Sequence, residues 1–296
     1  MPVEIDIQTK TEVLLEALPY LQRFRDSIFV VKFGGSFMDT DQARVGVATD
    51  LVFLAAVGIR VVVVHGGGPA ISKAMREANL QPVFSNGLRV TDAATIAIVE
   101  RTLNEVINAD ICANIRRRGG TPAGIRGQDV LRCVRLDRDE DGNALDIGYV
   151  GAVTDVTVEP IRAALARGLL PVVSPIGADA DGQFYNTNAD TAAACLAGAL
   201  GARRLVYLCD VPGLLRDPRD PATLISTLTA DAVPALRAAG TIGSGMLPKV
   251  ESAVQALRAG VRRVHFIDGR IPHSILLEIF TDQGVGTEIV GGAVAP

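Results

Sequence analysis

Short runs of β-branched and apolar residues alternate along the chain with longer Ala/Leu-rich segments whose apolar positions recur at helical spacing. That alternation predicts an α/β fold: an open, mainly parallel central sheet sandwiched by helices. Residues 28–33 predict a strand that runs into Gly34-Gly35, and residues 40–57 a helix that starts near Asp39 and stops at Gly58. Residues 60–65 (Arg-Val-Val-Val-Val-His) predict a second strand, which enters Gly66-Gly67-Gly68-Pro69 and a helix over 70–78. A long helix is expected over 92–117, ending at Gly119-Gly120. Residues 130–150 should hold two strands around the turn Glu140-Asp141-Gly142-Asn143. Then come a helix over 156–167, a buried strand over 170–174, and an Ala-rich helix over 191–200 capped by Asp190 and closed by Gly201. The last predicted elements are a strand at 205–209, a helix at 249–259 and a strand at 263–267. Ahead of the first strand, Thr9-Lys10-Thr11-Glu12 has capping-box spacing, and Val13, Leu14, Leu18, Leu21 and Phe24 form an apolar stripe.

Composition narrows the class. The 296 residues are 48% hydrophobic and 21% charged, the balance of a globular chain with a proper core. A net charge of −4 argues against nucleic acid or an anionic membrane as the main partner. No apolar run reaches the ~18–20 residues of a membrane helix, and residues 1–13 lack the apolar core of a signal peptide. Cys112, Cys133, Cys195 and Cys209 are scattered, so they are expected as reduced thiols of a cytoplasmic protein. With only three histidines, chemistry built on a histidine cluster is disfavoured.

The candidate chemistry lies in the glycine turns. Two successive strands end in glycine clusters that open helices, which aims backbone N–H groups and the positive end of a helix dipole at one place. The first cluster carries Lys32 inside an apolar strand, where an unpaired charge is costly, so a partner is expected. The Gly-x-x-x-x-Gly-Lys loop, the strand-linked Gly-x-Gly-x-x-Gly fingerprint and the protein-kinase motifs are all absent. In Asn186-Thr187-Asn188-Ala189-Asp190, alternate residues place two amides and a carboxylate on one side of a helix start. Asp190 reads equally as a helix cap. In Gly243-Ser244-Gly245-Met246-Leu247-Pro248-Lys249, the lysine opposes the helix dipole and is unfavourable there without an anion. A Gly/Asp-rich turn over 182–186 marks a soft boundary between two halves.

These segments carry a family resemblance. Lys32-Phe33-Gly34-Gly35, His65-Gly66-Gly67-Gly68-Pro69, Asn86-Gly87-Leu88-Arg89-Val90-Thr91, Tyr185-Asn186-Thr187-Asn188-Ala189-Asp190 and Met246-Leu247-Pro248-Lys249-Val250 occur in order. Together they resemble the N-acetyl-L-glutamate kinases of the amino-acid kinase superfamily, over residues 9–289. The resemblance implies phosphoryl transfer from ATP, with Mg2+ carried by the nucleotide, to the side-chain carboxylate of N-acetyl-L-glutamate. It implies catalytic roles for Lys32, Lys249, Asp190, Gly35 and Gly67, with Asp190 holding both lysines in position. Substrate would be bound by Gly66, Gly67, Arg89, Asn186 and Asn188, and nucleotide by Lys32, Gly34, Asp210, Gly213, Leu214, Gly245, Met246 and Lys249. No protein metal site is expected.

The implied organisation is an N-terminal oligomerisation helix over 1–27, an acylamino-acid-binding and dimerisation lobe over 28–185 and an ATP-binding lobe over 186–296. The stretch 17–24 resembles the N-terminal helix of arginine-inhibited members, which implies a homohexamer (a trimer of dimers) and an L-arginine site at Tyr20, His273, Glu278 and Gly286. Three departures stand out: Phe33 where the family usually has Tyr, Arg126 where it usually has Ser, and the stretch 103–110, which usually holds Gly and Asn-Lys. Competing readings are a relative acting on a carrier-bound aminoadipate and a non-catalytic arginine-sensing subunit.

Overall fold

The computed structural model describes residues 6–34, 40–139, 142–217, 219–243, 245–282 and 284–292. Gly35, the expected helix start at Asp39, Glu140-Asp141 of the expected turn and Ser244 lie outside the described residues. The strands are β1 Ile28–Phe33, β2 Arg60–His65, β3 Phe84–Ser85, β4 Leu88–Arg89, β5 Pro122–Ile125, β6 Leu131–Arg135, β7 Val150–Val156, β8 Leu170–Val173, β9 Ile176–Ala178, β10 Phe184–Thr187, β11 Arg204–Cys209, β12 Thr227–Thr229, β13 Arg263–Asp268 and β14 Thr287–Val290. The helices are α1 Ile7–Phe24, α2 Asp41–Ala56, α3 Gly68–Glu77, α4 Ala93–Arg101, α5 Asn108–Arg117, α6 Glu159–Ala166, α7 Ala189–Leu200, α8 Val233–Ala238, α9 Leu247–Arg258 and α10 Ser274–Ile279.

One sheet runs β12-β14-β13-β11-β1-β2-β8-β5, parallel throughout except where β13 meets β14. Its strands are buried on both faces, and alternate residues feed two cores. Val30, Val62 and Val64 pack with α7 and α9 on one side, while Phe29, Val31, Phe33, Val61 and Val63 pack with α2 and α5 on the other. Side chains of a strand alternate between faces, so a continuous apolar run such as 61–64 needs helices on both sides. The four short strands β6, β7, β9 and β10 pair in a closed ring. β1 sits between β2 and β11, so the chain leaves it in opposite directions, and a ligand crevice is expected beyond the carboxyl ends of these strands.

Several local expectations change. Asp6, not the Thr9 box, caps α1: its side chain accepts from Thr9 N, and the helix starts earlier. Asn188, not Asp190, caps α7, accepting from Asp190 N at 2.8 Å and Thr191 N at 3.1 Å. Only Leu131–Arg135 forms a strand well inside 130–150; the next begins at Val150 and runs through Val156, which displaces the start of α6 to Glu159. The long 92–117 helix contains a π-helical turn, Thr102–Ile107, between α4 and α5. α9 starts at Leu247, so Lys249 falls in its first turn. The cysteines are free thiols, three of them buried. Among the described residues no helix is long and apolar enough to cross a membrane.

Candidate active site

Asp190 organises the site. It stands in the first turn of α7, where the helix dipole favours an anion, and is 7% exposed. Its Oδ1 lies 2.8 Å from Lys32 Nζ at the end of β1, and its Oδ2 accepts a hydrogen bond of 2.5 Å from Lys249 Nζ at the start of α9. The Lys32 contact is an ion pair without regular hydrogen-bond alignment. Burial pushes the Asp190 carboxyl up, but the two ammonium groups outweigh it and hold the carboxyl below its ordinary range. Burial likewise opposes the Lys249 charge, and Asp190 more than restores it, so the Lys249 pKa is raised. Two lysines 217 residues apart in sequence are therefore fixed by one carboxylate. The backbone beneath is fixed as well, because the buried Tyr207 hydroxyl donates to Asp190 O at 3.0 Å.

The two glycine turns touch. A Cβ on Gly34 would lie 3.1 Å from both Cα and N of Gly66, so the backbones meet closely enough that a side chain there would have to push the turns apart. Gly66 N–H donates to Phe33 O at 2.8 Å and is spent on joining the turns, which corrects the expectation that this amide faces a ligand. The Gly67 and Gly68 amides, at the start of α3, have no acceptor within the helix.

Both turns, Lys32 and Asp190 line a cavity of about 310 Å³ together with Arg89, Asn186 and Asn188; Lys249 reaches it only through its bond to Asp190. Arg89 is carried by the β3–β4 hairpin, whose Asn86-Gly87 turn has positive φ at both residues (49° and 77°). Its guanidinium is 6% exposed and donates to Gly68 O (3.0 Å), Ser72 Oγ (2.8 Å) and Met75 Sδ (3.1 Å), with the Phe84 ring 4.7 Å from its carbon. Burial, then the nearby Arg76, lowers its pKa. Among the described residues no carboxylate pairs with Arg89, so a buried cation faces the cavity with neutral partners only. Asn186 Nδ2 donates to Thr91 Oγ1 at 3.3 Å, and Thr91 Oγ1 donates to Arg89 O at 2.8 Å, so the hairpin and β10 are tied together.

Of the positions expected to hold nucleotide, Asp210, Gly213, Leu214, Gly245, Met246 and Lys249 lie outside the lining of this cavity. Asp210, Gly213 and Leu214 follow β11, with Leu214 N donating to Thr287 Oγ1 at 2.8 Å. Gly213 has φ +143°, and a Cβ there would meet Thr287 Oγ1 at 2.6 Å, so only glycine fits. Gly245 is exposed, and Met246 N donates to Gly243 O just ahead of α9.

A second polar cavity, about 270 Å³, lies between α1 and the β13–β14 region and is lined by Tyr20, Glu278 and Gly286. His273 is not in its lining: it has φ +58° and its Nδ1 meets the buried Asp50 Oδ1 at 2.5 Å, on the α2 side. The histidine that reaches this cavity is His265, whose Nδ1 is 2.7 Å from Glu278 Oε1. Glu278 also accepts from Val285 N and Gly286 N at 2.7 and 3.1 Å. Sequence reasoning passed over His265, Arg204 and Arg263 here, because three separate strand positions converge only through the sheet register. The hairpin that presents Arg89 had a legible signal, the Asn-Gly dipeptide.

The amino acid kinase family profile matches residues 27–268. The chain belongs to the amino acid kinase family. Its relatives place it in the acetylglutamate kinase branch. It is 48% identical over 283 residues to the acetylglutamate kinase of Akkermansia muciniphila, covering 95% of each chain. It is 47% identical over 286 residues to that of Thermosynechococcus vestitus, covering 97% and 96%. Among solved structures it resembles an N-acetylglutamate synthase of Neisseria gonorrhoeae complexed with coenzyme A and N-acetyl-glutamate (TM-score 0.84, 26% identity), over 96% of this chain and 64% of the synthase. The same synthase complexed with coenzyme A and L-arginine gives a TM-score of 0.79 at 27% identity, over 95% and 65%. An isopentenyl phosphate kinase of T. acidophilum, at 20% identity and a TM-score of 0.59 over 89% of this chain and 100% of that one, shares the fold.

Proposed function

We propose that the chain transfers the γ-phosphoryl group of ATP to the side-chain carboxylate of N-acetyl-L-glutamate, giving N-acetyl-L-glutamyl 5-phosphate, the second step of arginine biosynthesis. The observation that carries this reading is one cavity lined by Lys32, by Asp190, which also pairs with Lys249, and by a buried arginine without a carboxylate partner among the described residues. A carboxylate is already a nucleophile, so no general base is needed; the difficulty is bringing anions together in line. Lys32 and the Gly67 amide stabilise the transferring phosphoryl group, with Gly34 lining its approach. Lys249 neutralises the leaving-side phosphates, and Asp190 keeps both lysines aimed. Donors fixed in advance are worth more than mobile ones, because they cost no reorganisation during reaction. Arg89 holds the α-carboxylate of the substrate, with Asn186 at the same end, and Gly66 permits its close approach. Asn188 acts through its side-chain N–H, since its oxygen caps α7. Asp210, Gly213, Leu214, Gly245 and Met246 border the nucleotide. Mg2+ would be carried by ATP rather than by a protein carboxylate pair, and would offset the charge of its phosphates.

The lobes meet at 185/186: the Arg89 side lies in 28–185 and the Lys249 side in 186–296, joined through β1 and β11 of one sheet. The second cavity is an L-arginine site. Arg204, 6% exposed and pushed down to about 10 by burial and then by Arg263, has an unpartnered Nε there and suits a carboxylate, while Glu278 and Glu288 suit a guanidinium. The arginine-bound synthase of similar fold supports this reading. Tyr20 brings α1 to the cavity, and the exposed Val13, Leu14, Leu15 and Leu18 of α1 suit contact with another copy in a cytoplasmic hexamer. The test is an ADP-release assay with N-acetyl-L-glutamate, glutamate, aspartate, carbamate and a carrier-bound aminoadipate as acceptors. N-acetyl-L-glutamate should be the preferred acceptor, with turnover falling as L-arginine is added. Preference for another acceptor overturns the substrate assignment, and no turnover with any acceptor favours the sensing subunit.

A further inference from the structure

His65 is a fully buried, titratable group to which the phosphotransfer mechanism gives no role. It is the last residue of β2 and directly precedes the Gly66–Gly67 peptide. Its Nδ1 is 2.9 Å from Gly66 O. A carbonyl oxygen only accepts, so Nδ1 carries the proton and Nε2 is left bare as an acceptor. Facing Nε2 at 3.4 Å is Asn108 Nδ2, the first residue of α5 after the π-helical turn. The same amide donates to Val172 O of β8 at 2.8 Å, and Cys112 Sγ donates to Asn108 Oδ1 at 3.6 Å. Gly124 of β5 leaves the room for this, since a Cβ there would lie 2.6 Å from Asn108 Oδ1. The π-helical turn completes the arrangement. Leu103 and Ile107 pack on Gly67 so closely that a Cβ there would meet their side chains at 2.6 and 2.9 Å.

We propose that Asn108 and His65 are positioning residues for phosphoryl transfer: Asn108 holds His65 in its Nδ1–H tautomer, and His65 grips Gly66 O so that the Gly67 N–H is aimed into the cavity. The physical link is the planarity of the peptide. In a trans peptide the carbonyl and the N–H point in opposite directions, so fixing Gly66 O toward the imidazole turns the Gly67 N–H away from it. Burial lowers the His65 pKa to about 4, which keeps the ring neutral and the tautomer single at working pH. The π-helical turn is the element that sets this geometry. An extra residue in the turn changes the phase of the helix, and it is at this point that Asn108 faces β2 and β8 while Leu103 and Ile107 face Gly67. Neither Asn108 nor His65 lines the cavity that holds Lys32 and Arg89, so their effect reaches the reaction through the Gly66–Gly67 peptide.

The kinetic half of the test rests on the phosphotransfer reading; the tautomer is read without any substrate. Two-bond 1H–15N spectra of the full-length protein, labelled with 15N-histidine, report the protonation of each ring nitrogen. Only three histidines are present, and His265→Gln and His273→Gln identify the other two. The expected wild-type result is a single His65 species, protonated at Nδ1 and bare at Nε2, from about pH 5.5 to 8. Asn108→Ala should give mixed tautomers and a kcat about tenfold or more lower, with KM for N-acetyl-L-glutamate and ATP within about threefold, because misaiming a group costs rate rather than binding. An Nε2–H tautomer in the wild type overturns the proposal, and so does a folded Asn108→Ala with unchanged kcat or with the loss confined to KM. Should Asn108→Ala fail to fold, the wild-type tautomer decides.

Discussion

At the scale of single residues, the site depends on charges that burial would otherwise suppress. Lys32 and Lys249 share one carboxylate, so removing either lysine leaves the other paired and the fold intact. Lys32→Ala and Lys249→Ala should each lower kcat by about 100–1000-fold, the usual cost of one preorganised donor. Steady-state kinetics alongside circular dichroism checks this, and near-normal turnover in a folded variant would remove that lysine from the mechanism. Arg89 calls for a different readout. Its three neutral partners and the Phe84 ring keep it in place whether or not substrate is bound. Arg89→Lys keeps the charge but loses the planar fork, so KM for N-acetyl-L-glutamate should rise well above the change in KM for ATP. Equal changes for both substrates would take Arg89 out of the clamp.

At the scale of elements, the contact between glycine turns and the seating of α1 both limit what substitution can do. Gly34→Ala places a methyl group 3.1 Å from the Gly66 backbone, which has no flexible side chain to yield, and so must push the turns apart. We expect kcat to fall with little change in Tm, as measured by kinetics and calorimetry on the same preparation. The helix α1 is a mixed case. Its first half exposes apolar residues, whereas Phe24 is 2% exposed, lies against Phe29 at 5.3 Å and has the Arg203 and Arg204 guanidinium carbons 5.3 and 5.4 Å from its ring centroid. Removing residues 1–25 therefore takes a core side chain as well as the proposed oligomer contact, a loss of about 3–5 kcal/mol for a buried Phe. Removing 1–18 spares Tyr20 and Phe24 and is the cleaner cut. It should give an active dimer by light scattering, with a clearly lower Tm only for the longer deletion. A hexamer after the shorter deletion would show that α1 does not hold the ring together.

At the scale of the whole molecule, acid should loosen the fold in a defined window. His65 has a folded pKa of about 4 against 6.5 for a free imidazole, so between these values the unfolded chain binds the extra proton. Stability then falls as pH drops from about 6.5 toward 4, by up to about 1.4 kcal/mol per pH unit from this one group. Asp190 adds a second loss at lower pH. Its folded pKa is depressed, so the stability it contributes is present above the ordinary carboxylate range and disappears as pH falls through the folded value. Urea unfolding from pH 7 to 4 should show the first slope, and His65→Gln should flatten it. An unchanged slope in that variant would assign the acid sensitivity elsewhere.

How much of this was legible before folding depends on the range of the forces involved. Strand and helix identity came from local patterning: an apolar run such as Val61 to Val64 suits a strand buried on both faces, and glycine after a strand opens a turn whatever lies around it. The lysines, Asp190, Arg89 and the family they indicate were readable because each chemistry needs a particular residue type beside a particular turn. Local patterning alone did not give the partner of each charge; the family resemblance did so for Asp190 and the two lysines. Asp190 passes locally for a helix cap, and only the packing of α7 against β1 and α9 frees it to hold two lysines while Asn188 takes the cap. The exchange of His273 for His265 at the second cavity, the π-helical turn and the Asn108–His65 contact were equally out of reach. The His265–Glu278 and Asn108–His65 contacts join separate elements of the fold, which no local pattern encodes. The sequence by itself determined the elements and the chemistry they carry; tertiary structure decided which charges meet, which amide is spent and which histidine reaches each site, because those depend on distances that exist only once the sheet has closed.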